Sequence, residues 1–69
     1  MERNYVASSN IASIGYDEPS ETLEVEFLNG SVYQYYNVPQ VLYDQLMQEG
    51  SKCRFLHAYI KRSYPYFRV

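Results

Sequence analysis

The 69-residue chain has room for one small domain, residues 1–69, and a chain this short buries only about 60% of the surface its unfolded form exposes. Hydrophobic residues at 46% and charged residues at 20% exclude a disordered chain, and no run approaches the ~20 apolar residues of a membrane span. The single Cys53 excludes an intramolecular disulfide and a Cys-rich zinc site. With no apolar run after Met1-Glu2-Arg3-Asn4, no signal peptide is expected, and a reducing, cytoplasmic setting is. The net charge of −2 hides a split. Residues 1–51 carry one Arg against eight carboxylates, a balance of −7; residues 52–69 carry five cations and no acid. Either the basic segment folds back on the acids or it faces a partner.

In chain order, Tyr5-Val6 allows a short N-terminal edge strand, and Ser8-Ser9-Asn10 reads as a turn. Residues 11–16 read as a strand with Ala12, Ile14 and Tyr16 on one face. Gly15 within it signals a bulge or a close backbone approach. Asp17-Glu18-Pro19-Ser20 forms a turn. Thr22 to Phe27 alternates with period two: Leu23, Val25 and Phe27 face one way, Glu24 and Glu26 the other.

Asn29-Gly30 marks a hairpin, and the loop length decides its register. A two-residue turn sets Gln34 opposite Val25 and mixes the faces. A loop with Gly30 in the left-handed position pairs Val25 with Tyr33, Leu23 with Tyr35 and Glu24 with Gln34, which keeps one face apolar. The second register is predicted, with Tyr33 and Tyr35 packed beneath the helices.

Pro39 suits the first turn of a helix, continued by Leu42, Tyr43, Leu46 and Met47 at helical spacing, with Gly50 as its cap. Ser51 then caps a second helix. Its apolar stripe is Cys53, Phe55, Leu56, Tyr59 and Ile60; Arg54, His57 and Lys61 share the other side. Tyr64-Pro65 ends it, and Tyr66-Phe67-Arg68-Val69 is an aromatic tail too apolar to float free. The predicted fold is α+β: a three-stranded antiparallel meander, with room for the short N-terminal strand, packed against two C-terminal helices.

The chemistry these residues offer is narrow. Cys53 and His57, four apart, could neighbour each other as nucleophile and base. Cys53 on the apolar stripe reads instead as a small buried hydrophobe, and the pair supplies too few ligands for zinc. Glu24 and Glu26 read as the wet face of a strand. The glycines stand singly at positions 15, 30 and 50, so no phosphate loop is present. No catalytic residue, metal, cofactor or small-molecule substrate is assigned. The functional signal is the interleaving of cations with aromatics after Lys52, since Lys and Arg neutralise phosphates while Tyr and Phe offer stacking surfaces.

Three segments taken in order carry a resemblance. They are Ser8-Ser9-x-Ile11-x-x-Ile14-Gly15-Tyr16-Asp17, then Leu23-x-Val25-x-Phe27-x-Asn29-Gly30-x-Val32-Tyr33-x-Tyr35-x-x-Val38-Pro39, then Ser51 and Ile60-Lys61-x-x-Tyr64-Pro65-Tyr66. The set resembles the KTSC family, small domains found free-standing in bacteria and at the C-terminus of some lysyl-tRNA synthetases. Tyr33-Gln34-Tyr35 is the family's best marker. Where the family carries Gly and Asn after the Ser, this chain has Cys53 and His57. The resemblance implies contact with RNA, tRNA above all, by a non-catalytic module. On this sequence the contact residues are expected to be Arg54, His57, Lys61 and Arg68, binding weakly. The alternative expectation is a protein-interaction or purely structural module.

Overall fold

The Asn29-Gly30 hairpin sets the register of the sheet. In the structure, a computed structural model describing residues 1–69, β1 (Arg3–Tyr5), β2 (Ile11–Asp17), β3 (Thr22–Phe27) and β4 (Val32–Tyr35) run antiparallel in sequence order. Gly30 sits at φ +91°, a conformation that glycine alone adopts without strain. Phe27 N–H donates to Ser31 O at 2.8 Å and Gly30 N–H to Phe27 O at 2.9 Å. The predicted pairs are all present: Leu23 with Tyr35, Glu24 with Gln34, Val25 with Tyr33.

Two findings enlarge the predicted three-stranded meander to five strands. An N-terminal strand is present as β1, beside β2, but it runs Arg3–Tyr5 and ends where the sequence suggested it would begin. The tail forms β5 (Tyr66–Arg68), which pairs with the far edge of β4: Tyr35 with Tyr66, Gln34 with Phe67, Tyr33 with Arg68. Tyr36 N–H donates to Pro65 O and Val69 N–H to Val32 O, extending this ladder at both ends. Pro65 stops the preceding helix, and the free edge of β4 captures the last residues of the chain.

β2 departs from simple alternation. The ladder slips between Ile11 and Ser13, so Ala12 is bulged out. Ile11, not Ala12, joins Ile14 and Tyr16 toward the core, and Ile11 and Ile14 are fully buried. Gly15 makes the expected close approach: a Cβ there would stand 2.6 Å from Glu2 O and 2.7 Å from Arg3 Cγ.

Asn37, at φ 64°, turns the chain out of β4, and Val38 N–H donates to Glu21 O at 2.9 Å. Helix α1 (Gln40–Gln48) starts just after Pro39, whose carbonyl accepts from Leu42 N–H at 3.0 Å. Leu46 is its one fully buried side chain. Tyr43 stacks on Tyr16 with ring centroids 4.8 Å apart, and the Tyr16 hydroxyl donates to Val38 O. Burial, then the nearby carboxylates Glu21, Glu18, Asp44 and Asp17, push the Tyr16 phenol up. The helix stops because Glu49 turns extended, at ψ 139°, so Gly50 is not the left-handed cap the sequence suggested.

Helix α2 (Lys52–Phe55) begins after Ser51, whose carbonyl, not its hydroxyl, takes Phe55 N–H at 3.1 Å. It widens at once into a π-helical turn over Leu56–Ile60, marked by Lys61 N–H donating to Leu56 O at 2.8 Å. The wider turn rotates the stripe predicted from α-helical spacing. Phe55, Leu56 and Ile60 are buried as expected, but Tyr59, within that turn, is 60% exposed; Cys53, which precedes it, is only half-buried. The core lies between the sheet and these helices: Ile11, Ile14, Leu23, Val25 and Tyr35 meet Val38, Leu46, Phe55, Leu56 and Ile60.

Candidate functional site

The sheet sets two of the eight carboxylates apart from the C-terminal cations. Strand alternation sends Glu24 and Glu26 to the face away from the helices, where both are engaged. Glu24 pairs with Arg3 at 3.3 Å and accepts from Gln34 Nε2 at 2.8 Å; Glu26 accepts from Ser13 Oγ at 2.9 Å. Tyr36 donates to Gln34 Oε1 at 3.0 Å and completes the network. Arg3–Glu24 is the molecule's only ion pair. The C-terminal cations form no ion pair with the acids: Arg54, His57, Lys61, Arg62 and Arg68 stand without a carboxylate partner. Lys52 turns aside, and its Nζ donates to Glu49 O at 2.9 Å.

Three of the four predicted contact residues come together. Arg54, His57 and Lys61 are exposed and line one shallow depression with Ala58, Arg62 and Tyr66. Arg68 lies apart on β5, directly across from Tyr33. Sequence spacing missed Arg62 and Tyr66. Tyr66 arrives only because β5 pairs with β4, which no local pattern foretells.

His57 and Lys61 also form one wall of a second, narrower groove of about 250 Å³ between the helix and the sheet edge, with Phe27, Asn29, Ser31, Tyr33, Tyr35 and Tyr66. Its aromatic rings pack in a chain. Phe27 meets Tyr33 edge-on at 5.8 Å, Tyr33 lies 6.0 Å from Tyr66, and Tyr66 lies 5.4 Å from Tyr35. Tyr35 is 2% exposed and Tyr33 half-buried, so the marker pair is part core and part groove. Burial first, then the neighbouring Tyr66 and Tyr33 phenols and Cys53, push the Tyr35 hydroxyl up to about 12. It stays protonated, and a donor, at neutral pH.

On the other side of His57, Cys53 lines a depression with Asn10, Phe27, Leu28 and Asn29. Cys53 Sγ accepts from Asn10 Nδ2 at 3.7 Å. The thiol is a half-exposed edge of the core rather than the buried hydrophobe predicted. No group of three or more His, Cys, Asp or Glu side chains is placed to hold a metal ion, and no helix is long and apolar enough to cross a membrane.

The KTSC domain family model matches residues 7–64. The chain is 36% identical to an uncharacterized protein of Stutzerimonas stutzeri over 100% of this chain and 99% of that one. It is also 36% identical over 58 residues to a lysine–tRNA ligase of Trichormus variabilis, a match that covers 84% of this chain and 10% of the ligase. Among solved structures it is similar to a KTSC domain protein from Yersinia pestis, with a TM-score of 0.92, 38% identity, and coverage of 99% of this chain and 96% of that one. On the match across residues 7–64, the order of the strands and the fit to that solved structure, the chain belongs to the KTSC domain family.

Proposed function

We propose that this domain is a small non-catalytic module that contacts RNA, tRNA in particular, through the helix face bearing Arg54, His57 and Lys61. The observation that carries this reading is the gathering of these groups with Arg62 beside Tyr66, without any carboxylate among them. Such a surface meets phosphates with charge and an unpaired base with an aromatic ring. The match to a segment of lysine–tRNA ligases supports the same reading. Arg68, across from Tyr33, extends the surface along β5.

Titration of labelled tRNA, and of a short single strand, at low and moderate salt tests it. Binding is expected near the non-specific range of about 10⁻⁴–10⁻⁶ M and to weaken as salt rises. Arg54→Glu with Lys61→Glu should weaken every RNA alike, because phosphate contacts carry no sequence information. No binding at low salt, or equal binding by wild type and double variant, rejects the face. A second reading, a protein partner, is favoured by the exposed Tyr59 ring, which borders a depression with Leu42, Gln45, Glu49 and Phe55. Salt-insensitive capture of a protein that Tyr59→Ser abolishes would select it.

A further inference from the structure

The groove beneath His57 has a chemical character that its open neighbour lacks. Ser31 N–H and Ser31 Oγ both donate to Asn29 Oδ1, at 3.0 and 2.6 Å. The backbone N–H can only donate, so the amide oxygen is committed and Nδ2 is the group left over. The hydroxyls of Tyr33, Tyr35 and Tyr66 have no hydrogen-bond partner in the protein, whereas those of Tyr16 and Tyr36 do. The protein has no sealed polar atom lacking a partner. The Tyr35 hydroxyl, on a side chain 2% exposed, therefore reaches open space, and the space its ring borders is this groove. His57 and Lys61 supply nitrogen donors at the wall, and no carboxylate lines it.

We propose that this groove is a receptor for a phosphate monoester, held by the three tyrosine hydroxyls, Asn29 Nδ2, His57 and Lys61. A protonated phenol on a side chain 2% exposed, with no acceptor in the protein, can donate only into the groove. An anion is the best acceptor there, because charge-assisted bonds are about twice as strong as neutral ones. A phosphate monoester offers three strong acceptor oxygens, more than the diester linkage inside a nucleic-acid chain, and so uses more of this donor set. On RNA the groove takes a phosphorylated end while the outer Arg54–Arg62 surface runs along the chain. Only this assignment of the phosphate to RNA rests on the function proposed above.

The test uses the full chain with inorganic phosphate, uridine 5′-monophosphate, and one single-stranded RNA carrying either a 5′-phosphate or a 5′-hydroxyl. Nuclear magnetic resonance titration reads the small ligands and fluorescence anisotropy reads the RNAs. The phosphorylated RNA is expected to bind about tenfold tighter than its hydroxyl twin. Tyr35→Phe, which removes one oxygen with no protein partner, and Lys61→Gln, on an exposed side chain, should each erase most of that preference. Lys52→Gln, which removes a charge away from the groove, should leave it in place. If both RNAs bind equally, or Tyr35→Phe keeps the preference, the receptor falls while a salt-dependent basic face stands. If the mononucleotide binds and Tyr35→Phe weakens it, yet neither RNA binds, the receptor holds and the RNA assignment falls. Saturation by a phosphoserine peptide in place of the RNA overturns that assignment in the same way.

Discussion

Gly15→Ala should separate β1 from the sheet, and the expected size can be worked from contacts. The new Cβ would lie 2.6 Å from Glu2 O and 2.7 Å from Arg3 Cγ. A carbon–oxygen contact is comfortable near about 3.3–3.6 Å, so β1 must withdraw by roughly 0.7 Å at a backbone atom that cannot rotate away. Overpacking of this kind costs about 1–3 kcal/mol. Full detachment sets the ceiling: three residue pairs of ladder, a partly exposed Arg3–Glu24 pair worth at most about 1 kcal/mol, and side chains that are mostly wet. For a domain whose whole stability is about 3–10 kcal/mol, that is a large share. Urea unfolding measures it directly. The decisive control removes Met1–Asn4, because the three atoms nearest the methyl then leave and Ala in a strand gains about 0.5–1 kcal/mol over Gly. The two changes should be strongly non-additive. Equal destabilisation by Gly15→Ala in the full and shortened chains would refute the clash.

At Gly30 a Cβ would meet no atom within 4 Å, so Gly30→Val carries only the backbone penalty of φ +91°, about 1–2 kcal/mol in the same unfolding assay; a neutral result would mean the loop is not held in this conformation. Tyr35 makes the fold alkali-sensitive: above pH 10.0 the unfolded chain releases this proton while the folded chain holds it to about 12. The unfolded state then binds fewer protons, so the contribution is complete below pH 10 and about 2–3 kcal/mol is lost by pH 12. Tyrosinate absorbance should show this phenol titrating late, and Tyr35→Phe should flatten the loss; an unchanged alkaline limb would count against it. Cys53, half-exposed beside Asn10, should react with a thiol reagent without global unfolding, at a rate below that of a free peptide thiol; labelling that waits on unfolding would show it sealed.

The β3–β4 hairpin was legible because local chemistry and global packing agree there. Glu24, Glu26 and Gln34 can share water only in the register that puts Tyr33 and Tyr35 beneath the helices, and the Asn-Gly loop closes in that register. The tail strand was hidden because three residues carry no usable period, and its pairing depends on where Pro65 delivers the chain to β4. Cys53 precedes the π-helical turn and sits at the edge of the core beside Asn10; the exposed Tyr59 lies within that turn and has a separate cause. A π-helical turn lengthens the repeat, so a stripe drawn at α-helical spacing rotates out of phase just past Phe55. The Ala12 bulge did the same to β2. For the site, the cationic cluster was readable from spacing along one helix. The groove was not, since Asn29, Tyr33, Tyr66 and His57 meet only through tertiary structure.

How steeply binding falls with salt should report which cations touch phosphate. The cluster of Arg54, Lys61 and Arg62 supplies three fixed charges, which for a single strand gives a log–log slope of about −2. Engagement of Arg68 as a fourth would steepen it to about −3. The acids of residues 1–51 leave this count intact because none pairs with a cation of the cluster, and two of them lie far from it. Glu24 and Glu26 stand on the far face of the sheet in a molecule whose shortest extent is 22 Å, while the screening length at physiological salt is about 8 Å. They lower the long-range attraction at low ionic strength without occupying the phosphate positions. Binding should therefore be slow to form at very low salt relative to a purely cationic domain of equal charge, yet retain the slope set by the local cluster. Arg68→Gln distinguishes the cases: a slope unchanged near −2 confines the contact to the helix, and a drop from −3 to −2 places β5 in it. A slope near zero with measurable affinity would mean that phosphate neutralisation is not the source of binding, and the face would have to be reassigned to the protein partner read from Tyr59.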